Sequence, residues 1–472
     1  VTPSPEMPVQ NLAHFRLEAI STVDGRYGKD VEILSPFTSE LALIRTRTEV
    51  ESKYLIALSN AGVVRPLQPE ETELLSNLGQ NMSVAQAERV KELEKTSEHD
   101  VKAVENWMRE HLKDTSLSDI TPYIHFLLTS EDTNNLSYRL MFKRATEQVM
   151  VPSYDKYIDR TLEMAVKERD TVMLARTHGQ DGVPTTLGKE LSVFAIRMNN
   201  EVRKLEKMKL TGKLNGAVGN FNAHKYTRPE VNWMQFAKNF VEGLGLEYNP
   251  FTTQINPYED MIEAFQTYQR LNGVFLDMDE DIWRYISDDW FTQEVKKTST
   301  GSSTMPQKVN PIDTENSEGN VSIANSLFEG LSRKLAVSRL QRDLSDSTVI
   351  RTTGVGLAHS LLVSEKAYKG MGKIHANARN IQRHVDSNWS VLAEGVQSVL
   401  RDHGRDDAYD LVKKAVKGRK LTPKSWKGWV EKLKITDDEK AHFKELTPET
   451  YVGIAPEIVD YAVQTIADSR RQ

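Results

Sequence analysis

Apolar positions recur at helical spacing over most of the chain. From Leu187 they fall at Leu191, Phe194, Met198, Val202, Leu205 and Met208, in steps of three and four that make one stripe. The stripe predicts a long helix, with Thr185 or Thr186 as its cap and Gly212 as its end. Ala324, Leu327, Leu331 and Leu335 repeat the pattern after Pro311, and Leu136, Leu140, Ala145 and Val149 make a third stripe. Asn310-Pro311 reads as a helix start. Helices this long need partners for their apolar faces, so the expected fold is all-α, a long-helix bundle shared between subunits. Alternating strand segments are scarce. Phe251–Ile255, between Pro250 and Pro257, is the short candidate for extended structure. Three regions follow: a helical N-terminal part over 1–115, the long helices over 116–365, and shorter helices over 366–472.

Composition narrows the class. The 472 residues are 39% apolar and 27% charged, the balance of a globular protein and not of a disordered one. The formal net charge of −6 argues against a nucleic-acid-binding surface. The lysine-rich run Lys413–Lys434 is interleaved with Asp, Glu and Trp, and reads as a solvated helix face. The chain contains no cysteine, which excludes disulfides, thiolate catalysis and cysteine metal sites. No run approaches the roughly 20 apolar residues of a membrane span. Val1–His14 lacks the apolar core of a secretory signal, so the expected location is cytoplasmic.

Five polar stretches carry chemistry. Gly301-Ser-Ser-Thr-Met-Pro-Gln-Lys-Val-Asn-Pro311 joins two hydroxyls, a lysine and a helix start, a combination suited to an anion. In Thr96–Lys102, His99 beside Asp100 reads first as a helix cap. In Thr129–Asn135, Ser130 reads as the N-cap with Glu131 and Asp132 in the first turn, which leaves Thr129 and two successive asparagines unexplained. Arg176-Thr-His-Gly-Gln180 places a histidine ahead of a long helix, where it can serve as general acid or base. In Ser338–Arg351, Arg339, Arg342 and Arg351 with Ser347 and Thr348 form a clamp for phosphate or carboxylate, or an ion-pair network with Asp343 and Asp346. The histidines show no zinc spacing, and Gly216-Ala-Val-Gly219 fits neither nucleotide-loop fingerprint. The expectation is a site without metal or cofactor for a multiply anionic substrate.

Residues 301–311 resemble the signature loop of the fumarase/aspartase superfamily. Within it the chain resembles the adenylosuccinate lyase family of many bacteria. The matching stretches are Val23–Gly28, His99–Glu105, Ile124–Phe126, Thr129–Asp132, Asn134–Ser137, Arg176–Gln180, Gly212–Asn220, Thr252–Ile255, Gln341–Asp343 and Asp346–Thr348, in the family's order and over nearly the whole chain. The resemblance implies three mostly helical domains, a homotetramer with active sites shared between subunits, and β-elimination of fumarate from two nucleotides of purine biosynthesis. These are adenylosuccinate, giving AMP, and the succinyl-carboxamide ribotide, giving the aminoimidazole carboxamide ribotide.

The same resemblance implies His178 as acid toward nitrogen and Ser302 as base toward carbon. Lys308 and Asn310, with backbone groups around Val309, would face the developing carboxylate charge. Arg26, Tyr27, Arg342, Ser347, Thr348, Val349, Ile350 and Arg351 would hold the phosphate and nucleotide. Glu98, His99, Asp100, Thr129, Ser130, Gln254, Ser303 and Asn316 would line the rest. The chain departs from the family pattern at three places. Asp181-Gly-Val-Pro184 replaces the usual Pro-Ala-Thr-Pro, Glu98 replaces asparagine, and Gln307 replaces histidine or tyrosine. Gln307 also resembles argininosuccinate lyases, and some superfamily members are non-catalytic lens proteins. The Thr129–Asp132 and Gln341–Thr348 stretches argue against the first alternative, and the presence of both His178 and Ser302 against the second.

Overall fold

The computed structural model describes residues 12–295 and 304–471. Ser302 and Ser303 lie outside the described residues. The chain is mostly helical and forms two compact units, each built from three separate stretches. The first comprises Val1–Ser153, Lys204–Asn272 and Asn320–Leu362. The second comprises Tyr154–Arg203, Gly273–Gly319 and Val363–Gln472.

The three apolar stripes are helices. Leu187–Glu206 buries Leu191, Phe194, Met198, Val202 and Leu205. Its first turn is capped by Thr186, whose hydroxyl accepts the Lys189 N–H at 3.2 Å. The helix stops at Glu206, short of the predicted Gly212. That glycine lies instead in a two-residue strand, where an added Cβ would sit 2.6 Å from Val241 and 2.7 Å from Leu136. The helix after Pro311 runs Ile312–Leu335, and Phe328 is buried where the pattern offers the half-buried Leu327. The third stripe runs through Ser130–Ala145 into a single π turn, Thr146–Met150. Pro152, without an N–H, explains the change of register there.

In the first unit, Glu40–Asn60 packs on Ser130–Ala145. This helix has no clean apolar stripe, because it buries charge as well as hydrocarbon: Arg47, Glu49 and Glu51 are each at most 6% exposed. Each has a partner. Arg47 binds Asp100, Arg144 donates twice to Glu49 at 2.9 Å, and Glu51 accepts from Thr133 and pairs with His125.

In the second unit, Tyr157 stacks on Phe275 at 4.9 Å between ring centroids. The sequence reading missed its β-hairpin, Val172–Thr177 with Gln180–Thr186, paired from Val172↔Thr186 to Thr177↔Gln180. Phe251–Ile255, the expected extended segment, forms bends and no strand. The lysines of 413–434 are exposed around a small core of Trp426, Val430 and Leu433, as a solvated face requires. Among the described residues no helix is long and apolar enough to cross a membrane.

Candidate functional site

The candidate residues fall into two clusters, one in each unit. The first is organised by two helix N-termini. His99 is the N-cap of Asp100–Leu112, and its Nδ1 accepts the Lys102 N–H at 3.2 Å. With Nδ1 an acceptor, the proton of a neutral ring sits on Nε2, which donates to the Ser130 hydroxyl at 3.2 Å. The cap of the Ser130–Ala145 helix is Thr129 and not Ser130: the Asp132 carboxylate reaches back to the Thr129 N–H at 2.9 Å. Moving the cap one residue back frees the Ser130 hydroxyl for His99. Glu98, at the preceding helix end, adopts φ 51° and is exposed.

The two asparagines that a cap did not explain are framework. Asn134 accepts from Arg47 at 2.9 Å, and Asn135 exchanges hydrogen bonds with the backbone of Lys213. Lys213 is fully buried. Its ammonium donates to Asp132 at 2.6 Å and to the Gly216 carbonyl at 2.8 Å. Asp132 also accepts the N–H groups of Asn215 and Gly216. One carboxylate therefore fixes a helix cap, a buried cation and the start of the 215–220 loop.

The arginine clamp is present and already paired. Arg342 meets Glu131 at 2.9 Å and donates to Gln254 at 3.3 Å. Gln254 in turn donates to the Ala217 carbonyl at 2.9 Å. Arg351 meets Asp100 at 2.8 Å and Glu40 at 3.4 Å. Burial pushes Asp100 up, but Arg47 and Arg351 outweigh it and hold the carboxyl down to about 2. The expected network with Asp343 and Asp346 holds only for Arg339, which pairs with Asp343 at 3.7 Å; Asp346 accepts from the Tyr258 hydroxyl. Ser347, Thr348, Val349 and Ile350 form the short helix Ser345–Ile350 between these arginines, with Thr348 exposed and Ile350 buried. Arg26 is exposed, its guanidinium 5.9 Å from the Tyr27 ring.

Burial also pushes Glu131 up, to about 7, against the pull of Arg342, Lys213 and Arg139 and with the help of Asp346. Below that value Glu131 is neutral and Arg342 keeps its full charge for an incoming anion; above it the pair neutralises itself. KM for an anionic substrate is therefore expected to rise as pH passes upward through about 7. In Glu131→Gln that rise should vanish. Steady-state kinetics across pH 6–9 checks this, and an identical rise in both proteins contradicts it.

In the second unit His178 and Gly179 form the two-residue turn of the hairpin, at φ 53° and 70°. The left-handed pair suits glycine and costs histidine steric energy. The His178 ring is exposed at the tip and has no hydrogen-bond partner among the described residues. Asp181 does not turn toward it. Its carboxylate receives His384 Nε2 and Asn388 Nδ2 at 2.9 Å each, and Lys420 at 3.3 Å. Burial raises the Asp181 carboxyl, but these donors prevail and leave it below the ordinary value. Of the signature loop, Lys308 is exposed, the Val309 carbonyl accepts from Gln293 at 3.0 Å, and Asn310 is half-buried just before Ile312–Leu335. Asn316 lies half-buried one turn into that helix.

Sequence reasoning did not single out Arg47, Lys213 or His384, and it read Glu131 only as an acid in the first turn of a helix. Lys213 had one visible signal, a lone cation next to Gly212 in a stretch that matches a family motif.

Comparison with known proteins sets these clusters in context. Solved structures share the fold: a 3-carboxy-cis,cis-muconate lactonizing enzyme from Pseudomonas putida has a TM-score of 0.72 at 18% identity, over 93% of this chain and 98% of that one. A fumarate lyase from Mesorhizobium has a TM-score of 0.74 at 16% identity, over 92% and 97%. The Lyase family model matches residues 25–323, which makes the protein a lyase of the fumarase/aspartase superfamily. The adenylosuccinate lyase C-terminal model matches residues 338–452. Adenylosuccinate lyases from Escherichia coli K12 and Legionella pneumophila are 41% and 42% identical over 94% of this chain and 98% of their own length. That from Dictyostelium discoideum is 40% identical over 95% and 99%. The chain belongs to the adenylosuccinate lyase family.

Proposed function

We propose that the chain releases fumarate from adenylosuccinate, and from the succinyl-carboxamide ribotide, with His178 as acid and Ser302 as base. Ser302 takes the proton from the carbon beside a carboxylate, and that C–H pair becomes the new carbon–carbon double bond. The carbon–nitrogen bond breaks, and the leaving nitrogen takes its proton from His178. The observation that carries the acid role is the hairpin tip, where a two-residue turn presents an exposed imidazole with no hydrogen-bond partner among the described residues. A serine hydroxyl needs activation to act as a base, and Lys308 is the nearby cation in sequence.

On this reading Arg342, Arg351, Ser347 and Thr348 hold phosphate, with Arg26 and Tyr27 on the nucleotide. His99, Ser130, Thr129, Gln254, Ser303 and Asn316 line the pocket. The paired arginines support this, because a guanidinium that already binds a carboxylate oxygen presents donors that a phosphate oxygen can take over. A homotetramer, active sites shared between subunits, the division into 1–115, 116–365 and 366–472, and a cytoplasmic location belong to the same proposal. Incubation with adenylosuccinate, without added metal, should release fumarate, read from the nucleotide absorbance. Turnover of argininosuccinate in its place overturns the substrate assignment.

A further inference from the structure

The hairpin that carries His178 is held on both strands, close to its tip. Arg176 and Asp181 face each other across the two strands. On the first strand Arg176 ion-pairs with Asp288, and its guanidinium lies 4.0 Å from the centroid of the Trp290 ring. On the second strand Asp181 is bound by His384, Asn388 and Lys420. His384 also packs on Trp290, at 5.0 Å between ring centroids. Arg176, Trp290, His384 and Asp181 thus close a circuit around the base of the tip. Asp181 is only 10% exposed as a side chain, and both of its oxygens are used.

We propose that Asp181 is a positioning residue for His178, fixing the tip by anchoring the second strand to the helix Ala378–Ser387 and the residues after it through His384 and Asn388. The inference rests on the acid role of His178. A two-residue turn has few torsions of its own, so the position of the His178 backbone, from which the imidazole reaches out, follows the direction of its strands. Asp181 is three residues beyond His178, separated from it by Gly179 of the turn and Gln180, the first residue of the second strand. Releasing that anchor lets the ring shift by an ångström or so, and a misplacement of about 1 Å can cost on the order of 10²-fold in rate. Substrate binding elsewhere is untouched, so the loss belongs in kcat.

The test compares Asp181→Asn, His384→Ala and His384→Gln, alone and in a His178→Ala background, with fumarate release as the assay. Asp181→Asn and His384→Ala are expected to lower kcat by about ten- to a hundredfold, with KM within about twofold. His384→Gln retains a donor for Asp181 and should recover most of the loss. In His178→Ala, Asp181→Asn should lower kcat no further. An undiminished effect of Asp181→Asn in that background overturns the positioning role and leaves the acid role standing. Near-normal kcat in His178→Ala alone overturns the acid role. Equal losses in His384→Ala and His384→Gln, or a KM rise in place of the kcat loss, also overturn the anchor. Because both His384 variants keep Asp181 itself, the comparison holds even if Asp181→Asn folds poorly.

Discussion

Alanine at position 178 is expected to lower kcat by about 10²- to 10⁴-fold, the contribution of one well-placed general acid. The fold should not notice. The His178 ring is exposed and makes no hydrogen bond among the described residues, so its removal leaves no cavity and no orphaned partner. Thermal midpoint and circular dichroism should match the parent protein while fumarate release collapses. Ser302→Ala should show a loss of comparable size, because proton removal and nitrogen protonation belong to one bond-breaking sequence. Wild-type turnover in either variant would remove that residue from the mechanism.

The largest effect on stability is expected from Lys213→Met. The Lys213–Asp132 pair is fully buried, and Asp132 also holds the Thr129, Asn215 and Gly216 N–H groups. Taking the ammonium away strands a carboxylate in a dry interior, and breaking a buried pair in this way costs about 3–5 kcal/mol. The expected readout is a sharp fall in the denaturant midpoint and in soluble yield. Adding Asp132→Asn to Lys213→Met removes the stranded charge and should recover part of the loss. A single mutant as stable as the parent would mean that the pair contributes nothing net.

The contrast between these two residues shows what a sequence discloses. His178 stood out because it lies in a polar stretch ahead of a long helix and in a motif that resembles the family's, although a lone histidine is more often structural. Its setting was hidden: Val172–Thr177 and Gln180–Thr186 are too short and too mixed to show clean alternation, so the hairpin read as the approach to a helix. Lys213 was nearly invisible, because its value lies in contacts with residues about 80 positions away. Arg342 was legible as part of an arginine clamp, but its pairing with Glu131, far away in sequence, was not. Local capping was legible for His99 and wrong by one residue for Ser130, since Thr129 and Ser130 are equally good caps until Asp132 chooses between them. The helices of the three apolar stripes were legible, because burial follows their spacing directly, whereas Glu40–Asn60, which buries charge, was not.

Arg342 and Arg351 each rest against a carboxylate. A ligand phosphate therefore does not fall into a waiting positive well; it must displace an occupant. On the proposed reading this makes binding an exchange, in which Glu131 and Asp100 act as place-holders. A lone inorganic anion gains little from the swap, since it gives up its own hydration for contacts the carboxylates already supply. Only a ligand that brings further contacts along with its phosphate tips the balance. On that reading the resting ion pairs would work as a filter, keeping abundant small anions from the pocket while leaving it open to the whole nucleotide.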